Sequence, residues 1–218
     1  MIFDREAFIR ANTRLKPVPH VPEIVLYVAE ESVPIWQKTE EQLNEMGLPP
    51  PYWAFAWAGG QALARYVLDH PAEVTARRVL DLAAGSGLVA IAAAIAGAAP
   101  VIAADIDPFT EAAITLNAAA NDVYVEILTQ DLLDRPAPVE PRYDLILVGD
   151  LFYERDTAAR ALRFLDRNAA AGSRVLIGDP GRAYLPKDRL VRLAEYAVPV
   201  TRELEDMEIK RTSVWELK

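Results

Sequence analysis

Short runs of apolar residues recur through residues 77–178 and alternate with longer amphipathic or alanine-rich segments. The runs predict strands at 78–82, 100–105, 123–128, 143–149 and 173–178, and the segments predict helices at 88–97, 108–120, 156–169 and 186–196. This alternation indicates an α/β fold, in which right-handed crossovers build a parallel sheet with helices on both faces. The tail differs, since Val198 to Leu204 and Thr212 to Leu217 predict two strands of an antiparallel hairpin.

Residues 1–50 are predicted to form an N-terminal extension that prolines interrupt repeatedly. We expect a strand at Ile24 to Val28 and a helix from Ile35 to Met46 that ends at Gly47. The extension is expected to cover the substrate or the cofactor of a single domain formed by residues 51–218. That domain begins with a stiff proline segment, which delivers an aromatic cluster of Tyr52, Trp53, Phe55 and Trp57.

The composition excludes several classes of function. With 23 basic and 32 acidic residues the net charge is −9, so no electrostatic footprint for nucleic acid is visible. The absence of cysteine excludes disulfides, thiolate metal sites and cysteine nucleophiles, and His20 and His70 have no metal-ligand spacing. No apolar run is long enough for a membrane span, and no secretory leader is recognisable, so we expect a cytoplasmic protein.

The stretch Val79 to Gly87, V-L-D-L-A-A-G-S-G, joins an apolar strand, an aspartate, a glycine turn and the start of a helix. Glycines allow a ligand to approach the backbone, and a helix N-terminus offers unpaired N–H groups. Asp81 would repel a pyrophosphate at this position. The stretch therefore favours a nucleoside with a cationic amino-acid tail, which is the chemistry of S-adenosylmethionine.

The same glycine turn permits a second interpretation. Gly85, Gly87 and Ala90 also fit the dinucleotide pattern G-x-G-x-x-G/A, with Asp105 or Asp107 about 20 residues further on. An NAD-dependent oxidoreductase is therefore an alternative hypothesis.

Aspartates stand at or just after the carboxyl end of every predicted parallel strand. They are Asp81, Asp105, Asp131, Asp150 and Asp179. Ligands of open α/β sheets bind at this edge, and capping of turns and helices does not require so many acidic groups. Capping nevertheless stays an alternative for Asp131 and Asp150, and Asp107 before Pro108 is predicted to cap the next helix.

With these residues placed, the chain resembles the Rossmann-like, seven-strand methyltransferases that use S-adenosyl-L-methionine, and its terminal hairpin is similar to their sixth and seventh strands. Their motif D/E-x-G-x-G-x-G has Ala83 at its first glycine here. The resemblance implies a cofactor site in which Asp81 faces the methionine amino group, Asp105 accepts from the ribose hydroxyls and Asp131 binds the adenine amino group. Gly85 and Gly87 form the loop, Trp57 folds over the cofactor, Asp150 also belongs to the cofactor site, and no metal is implied.

Asp150-Leu151-Phe152-Tyr153 matches a D/E-x-x-Y/F signature of protein-lysine methyltransferases. The segments W-A-F-A-W-A-G-G, G-D-L-F-Y-E, G-D-P-G-R-A-Y-L and T-S-V-W-E-L resemble those members that modify the β-subunit of electron transfer flavoprotein. The resemblance implies that subunit as protein substrate. A ribosomal protein of the L11 type, a small-molecule acceptor and a non-catalytic cofactor-binding scaffold are the alternatives.

The chemistry of lysine methylation suits Asp150. A lysine amine has an ordinary pKa of about 10.4 and must lose its proton before its lone pair can attack a methyl group. Asp150 can attract the ammonium and then accept a hydrogen bond from the neutral amine. Phe152 and Tyr153 are predicted to supply apolar walls and a cation–π contact, and desolvation there would lower the pKa of the lysine. Ordinary packing at the end of the strand is the alternative for both rings. Arg182 is expected on the surface, or in contact with an acidic group of the substrate.

Overall fold

The structure is a computed structural model that describes residues 4–29, 50–136, 142–200 and 207–218. Its strands are β1 (Arg14–Val18), β2 (Val21–Val28), β3 (Val79–Leu82), β4 (Val101–Asp105), β5 (Glu126–Thr129), β6 (Leu145–Gly149), β7 (Arg174–Asp179), β8 (Leu190–Pro199) and β9 (Ile209–Leu217). Its α-helices are α1 (Arg5–Asn12), α2 (Ala58–Asp69), α3 (Leu88–Ile95), α4 (Pro108–Ala120) and α5 (Arg155–Ala170). No helix within these ranges is long and apolar enough to cross a membrane.

The main sheet has seven strands in the order β5-β4-β3-β6-β7-β9-β8. Strands β3 to β7 are parallel, and β9 runs antiparallel to both β7 and β8. This confirms the predicted sheet with its antiparallel end. The chain leaves β3 towards β4 and β5 and then returns to place β6 on the other side of β3. The order of strands therefore reverses between β3 and β6, where ligands bind in open α/β sheets.

The sheet is apolar on both faces, which confirms the prediction of helices on both sides. Along β6, Leu145 and Leu147 pack into one cluster with residues of α2 and α3, whereas Ile146 and Val148 pack into another with residues of α5. Because side chains alternate across a strand, a strand buried on both faces has a continuous apolar sequence. The two clusters fix the carboxyl ends of β3 and β6 beside each other.

The C-terminal hairpin is confirmed, but its first strand was predicted in the wrong place. Residues 186–196 were predicted as a helix, and most of that range belongs to β8, which pairs with β9 from Leu190 to Pro199. Leucine, alanine, arginine and glutamate favour helices, but propensity is weak enough for strand pairing to override it. Residues 201–204 of the predicted strand 198–204 lie outside the described residues.

The N-terminal extension packs against α4. Its β1 and β2 form a separate antiparallel pair, and α1 is an additional helix that begins with the Asp4 side chain accepting from the N–H of Ala7 at 3.0 Å. Asn117 of α4 accepts from the N–H of Tyr27 and donates to the carbonyl of Ser86 in the glycine loop. The predicted helix at 35–46 and its end at Gly47 lie outside the described residues.

Candidate active site

A pocket of about 460 Å³ opens at the carboxyl ends of β3, β4 and β6, a volume typical of small-molecule sites. The predicted site residues that line it are Trp57, Asp81, Gly85, Asp105, Asp131, Asp150 and Tyr153. Gly87 and Phe152 lie outside its lining. In the described part of the chain, no group of three or more His, Asp or Glu side chains is placed to hold a metal ion.

The glycine loop between β3 and α3 takes a left-handed backbone conformation three times. Ala83, Gly85 and Gly87 have φ values of 58°, 52° and 79°. At Gly87, which caps α3, a Cβ would lie 2.9 Å from Cγ1 of Ile114, so a side chain has no room. Ala83, which stands at the first glycine position of the motif, thus has a left-handed conformation that glycine adopts readily.

Two carboxylates, Asp81 and Asp105, stand at the ends of β3 and β4. Asp81 is 2% exposed and accepts from the N–H of Ala90 at 2.9 Å. Burial, together with the charge of Asp105, raises the pKa of Asp81 to about 7. Asp105 accepts from the N–H groups of Gly85 and Asp107, each at 2.9 Å. These carboxylates retain lone pairs for a cationic or hydroxylated ligand.

Asp107 and Asp131 both make the capping contacts that the sequence predicts or allows for them. Asp107 is the N-cap of α4 and accepts from the N–H of Phe109 at 2.8 Å, which confirms the predicted cap. Asp131 accepts from the N–H of Leu133 at 3.0 Å and pairs with Arg160 at 2.7 Å, and the hydrogen bond from Arg160 lowers its pKa. Asp131 therefore makes a turn contact and also lines the pocket.

Asp150, directly after β6, is the most constrained acidic residue of the pocket. Its φ is 55°, and its backbone N–H donates to the carbonyl of Gly178 at 3.0 Å. Oδ2 accepts from the N–H of Gly60, in the first turn of α2, at 3.0 Å. Oδ1 accepts from Nη2 of Arg182 at 2.6 Å and from its Nε at 3.0 Å. The carboxylate is therefore held by a helix N-terminus and by a guanidinium.

Glycines allow α2 to approach Asp150 so closely. A Cβ on Gly59 would lie 2.2 Å from the carbonyl oxygen of Gly178 and 2.5 Å from Oδ2 of Asp150. A Cβ on Gly149 would lie 3.1 Å from Cα of Gly60. Contacts this short leave room only for glycine, so the W-A-G-G segment and the ends of β6 and β7 are fitted to each other.

The aromatic residues divide between pocket and core. Tyr52 and Tyr153 are exposed at the pocket, with ring centroids 5.7 Å apart, and partial burial raises the pKa of Tyr153. Trp57 also lines the pocket and donates from Nε1 to the carbonyl of Tyr52 at 2.9 Å. Trp53 belongs to both, because it stacks on Phe109 in an apolar cluster and also lines the pocket. Phe152, predicted as a pocket wall, is fully buried with the residues of α5.

Arg182 has a role in the site that the sequence did not indicate. Instead of lying on the surface, it pairs with Asp150, and its guanidinium lies 5.9 Å from the ring centroid of Trp57. The run G-D-P-G-R did contain a signal, because an aspartate before Pro-Gly predicts a turn. Such a turn reverses the chain and can direct the arginine that follows towards the end of the sheet. The contact itself depends on β7 lying beside β6.

A Rossmann-like sheet with this strand order, a glycine loop and acidic residues at the switch point define an α/β protein of the methyltransferase type. A family described as lysine methyltransferase matches residues 40–187, and the chain belongs to this family. Membership supports the methyltransferase hypothesis over the NAD-dependent oxidoreductase.

Relatives are similar over most of the chain. The mouse electron transfer flavoprotein beta subunit lysine methyltransferase is 37% identical over 97% of this chain and 83% of its own length. The human protein of the same name is 36% identical over 96% of this chain and 80% of its own.

Solved structures support the fold. The magnesium protoporphyrin IX methyltransferase of Synechocystis PCC 6803, with bound S-adenosylhomocysteine, matches with a TM-score of 0.53 at 15% identity. The match covers 84% of this chain and 98% of that one. At this identity the likeness concerns the fold alone.

Proposed function

We propose that this protein is an S-adenosylmethionine-dependent protein-lysine N-methyltransferase whose substrate is the β-subunit of electron transfer flavoprotein. The observation that carries the proposal is the position of Asp150, a carboxylate only 10% exposed that lines the same pocket as Asp81 and Asp105. The names of the mouse and human relatives support the choice of substrate.

The pocket fits S-adenosylmethionine at three places. Asp81 is a buried carboxylate suited to the cationic amino group, and Asp105 offers acceptors for the ribose hydroxyls. Gly85, with φ of 52°, brings the backbone of the glycine loop into the pocket lining. In this arrangement Asp131 binds the adenine amino group and Trp57 lies over the cofactor. When bound, S-adenosylmethionine supplies an electrophilic methyl group.

The lysine side chain enters beside the exposed rings of Tyr52 and Tyr153, which contact each other at the rim of the pocket. Aromatic faces attract the ammonium and also remove water from it, which lowers the pKa of the lysine. The proton passes to solvent, because an ordinary carboxylate is too weak a base for lysine. Asp150 then accepts a hydrogen bond from the neutral amine and directs its lone pair into the pocket.

Charge favours a basic target segment. The chain carries a net charge of −9, and the acidic side chains of Asp131 and Glu154 line the pocket. Opposite charges steer encounter more than they strengthen binding. Methylation should therefore slow with rising salt concentration.

The test is the intact mass of purified electron transfer flavoprotein after incubation with S-adenosylmethionine and either the wild type or Asp150→Asn. Asparagine retains the shape and tolerates the left-handed backbone, but it has one acceptor oxygen where the carboxylate has two, so it cannot accept from Gly60, Arg182 and the amine together. We expect methyl additions on the β-subunit with the wild type and a rate about a hundredfold lower with the variant.

Asp122→Asn is the matched control, because Asp122 has the same φ of 55°, is exposed and lies outside the pocket lining. It should methylate like the wild type. Both variants should bind S-adenosylhomocysteine. Equal rates for Asp150→Asn and the wild type would contradict the assignment of Asp150, and no methylation by the wild type would contradict the substrate.

A further inference from the structure

The negative charge of Asp150 is already compensated by an arginine. Nη2 and Nε of Arg182 donate to Oδ1, at 2.6 and 3.0 Å, and the two side chains are only 20% and 10% exposed. The other oxygen, Oδ2, accepts from the N–H of Gly60. An ion pair this enclosed is screened far less by water than a surface pair.

The turn after β7 holds Arg182 at this position. Oδ1 of Asp179, a residue 1% exposed, accepts from the N–H of Gly181 at 2.6 Å and from the N–H of Arg182 at 2.7 Å. Gly181 supplies the left-handed conformation that the turn needs, with φ of 94°. The guanidinium faces the ring of Trp57 at 5.9 Å. The arginine is therefore built into the site before any substrate arrives.

This pairing changes what Asp150 does to a lysine. A lone carboxylate in an enclosed pocket would stabilise the ammonium form, raise the pKa of the lysine and oppose methyl transfer. A carboxylate neutralised by arginine still accepts a hydrogen bond but gives the ammonium much less stabilisation. The nearby guanidinium also repels a second cation.

Other charged and titratable groups also lie near the position of the lysine amine and contribute to the electrostatic potential there. Asp179 lies behind the pair, and its pKa is raised to about 6 by burial, with a further contribution from the charge of Asp150. The charged and titratable residues that line the pocket besides Asp150 and Arg182 are Tyr52, Asp81, Asp105, Asp107, Asp131, Tyr153, Glu154 and Arg160. Among the residues of the pocket lining, Arg182 is the cation that contacts Asp150.

We propose that Arg182 is a positioning residue that neutralises Asp150, so that the pocket receives the lysine amine in its uncharged form. This inference rests on the proposed function. Arg182 occupies Oδ1 of the carboxylate, and the amine shares Oδ2 with the N–H of Gly60. With Arg182 in place, Asp150 can orient the neutral amine through a hydrogen bond. It does so without stabilising the ammonium form, which would slow the reaction.

The test is the pH dependence of single-turnover methylation of electron transfer flavoprotein by the wild type, Arg182→Gln and Arg182→Lys. In Arg182→Gln the uncompensated carboxylate raises the pKa of the bound lysine. We expect the rising limb of the profile to move up by about one pH unit, which is about a tenfold loss near pH 7, with recovery at high pH. Arg182→Lys retains the charge and should keep most of the wild-type profile.

The second part of the experiment repeats the comparison in the Asp150→Asn variant. In that background the carboxylate charge is absent, so Arg182→Gln removes only the direct repulsion between the guanidinium and the ammonium, and it should shift the profile clearly less than it does in the wild-type background, as a double-mutant cycle would show. A loss in Arg182→Gln that is equal at every pH, or an unchanged or faster rate near pH 7, would overturn the inference while leaving the proposed function in place. A wild type that is inactive on the flavoprotein at every pH would overturn both.

Discussion

Asp150 and Ala83 hold left-handed backbone conformations, although neither is glycine. This conformation costs an L-residue about 1–2 kcal/mol and persists where neighbouring groups fix it. Around Asp150 those groups are Gly60, Gly178 and Arg182. At Asp150 the strained backbone lies at the residue whose carboxylate lines the pocket. At Ala83 it lies at the turn that leads into the glycine loop.

At the same scale, Asp81 predicts a pH dependence of cofactor binding. Its pKa is about 7 in the free protein, so it is largely protonated below that value. A cationic amino group binds the ionised form, so binding releases the proton below pH 7. The affinity for S-adenosylhomocysteine should therefore rise with pH between 5.5 and 7, by up to about tenfold per unit, and flatten above.

Isothermal titration calorimetry measures this dependence. Asp107 and Asp179 also have a pKa raised to about 6, mainly by burial, so they could contribute to the slope. Asp81→Asn separates them, because the part of the slope that Asp81 causes disappears in this variant. The same slope in Asp81→Asn and in the wild type would show that Asp81 does not face the amino group.

Single residues also show how far the sequence could predict the site. The strand-end aspartates were predictable, because the end of an apolar run locates the edge of the sheet. Arg182 was not, because its partner Asp150 is 32 positions away and the contact requires β7 to lie next to β6. For Phe152 and Tyr153 the sequence left packing and substrate contact open, since alternation after the end of a strand does not decide which of two aromatic neighbours faces the pocket; Phe152 is buried and Tyr153 is exposed.

At the scale of elements, the packing of α2 against β6 and β7 is what brings a helix N-terminus to Asp150. The approach depends on Gly59 facing the carbonyl of Gly178 and on Gly149 facing Gly60. The N–H of Gly60 then reaches Oδ2 of Asp150, where the helix dipole favours negative charge. The packing of α2 therefore fixes the position of the Asp150 carboxylate and stabilises its negative charge.

Gly59→Ala and Gly60→Ala should therefore have opposite effects on stability. At Gly59 the new Cβ would lie 2.2 Å from a backbone oxygen, and overpacking of this kind lowers the free energy of unfolding by about 1–3 kcal/mol. At Gly60 the nearest atoms are side-chain carbons 3.9 Å away, and alanine is the better helix former by about 0.5–1 kcal/mol. Urea unfolding of both variants measures the difference. Equal stabilities would contradict the close contact.

The elements that the sequence mispredicted lie at the two ends of the chain. Strand β8 is rich in residues that favour helices, and its strand conformation comes from pairing with β9. In the extension, Pro17 lies within β1 opposite Val25, a position that a local sequence pattern argues against. Both strands depend on a partner elsewhere in the chain, whereas the buried central strands carry their signal in their own residues.

At the scale of the whole molecule, one edge of one sheet carries the site. Among residues 4–29 of the extension none lines the pocket, but α1, Trp53 and Phe109 share an apolar cluster that supports the aromatic segment beside it. Asn117 connects β2 to the glycine loop. The described part of the extension therefore supports the site indirectly, through its contacts with α4 and with the aromatic segment.

The central claim is that the pocket places a lysine amine against Asp150. The most direct test is fragmentation mass spectrometry of native electron transfer flavoprotein after reaction with the wild-type protein and isotope-labelled S-adenosylmethionine. We expect the label on lysine side-chain nitrogens of the β-subunit, within basic segments, and almost none with Asp150→Asn. Label on another residue type, or on lysines to the same extent with both proteins, would contradict this claim.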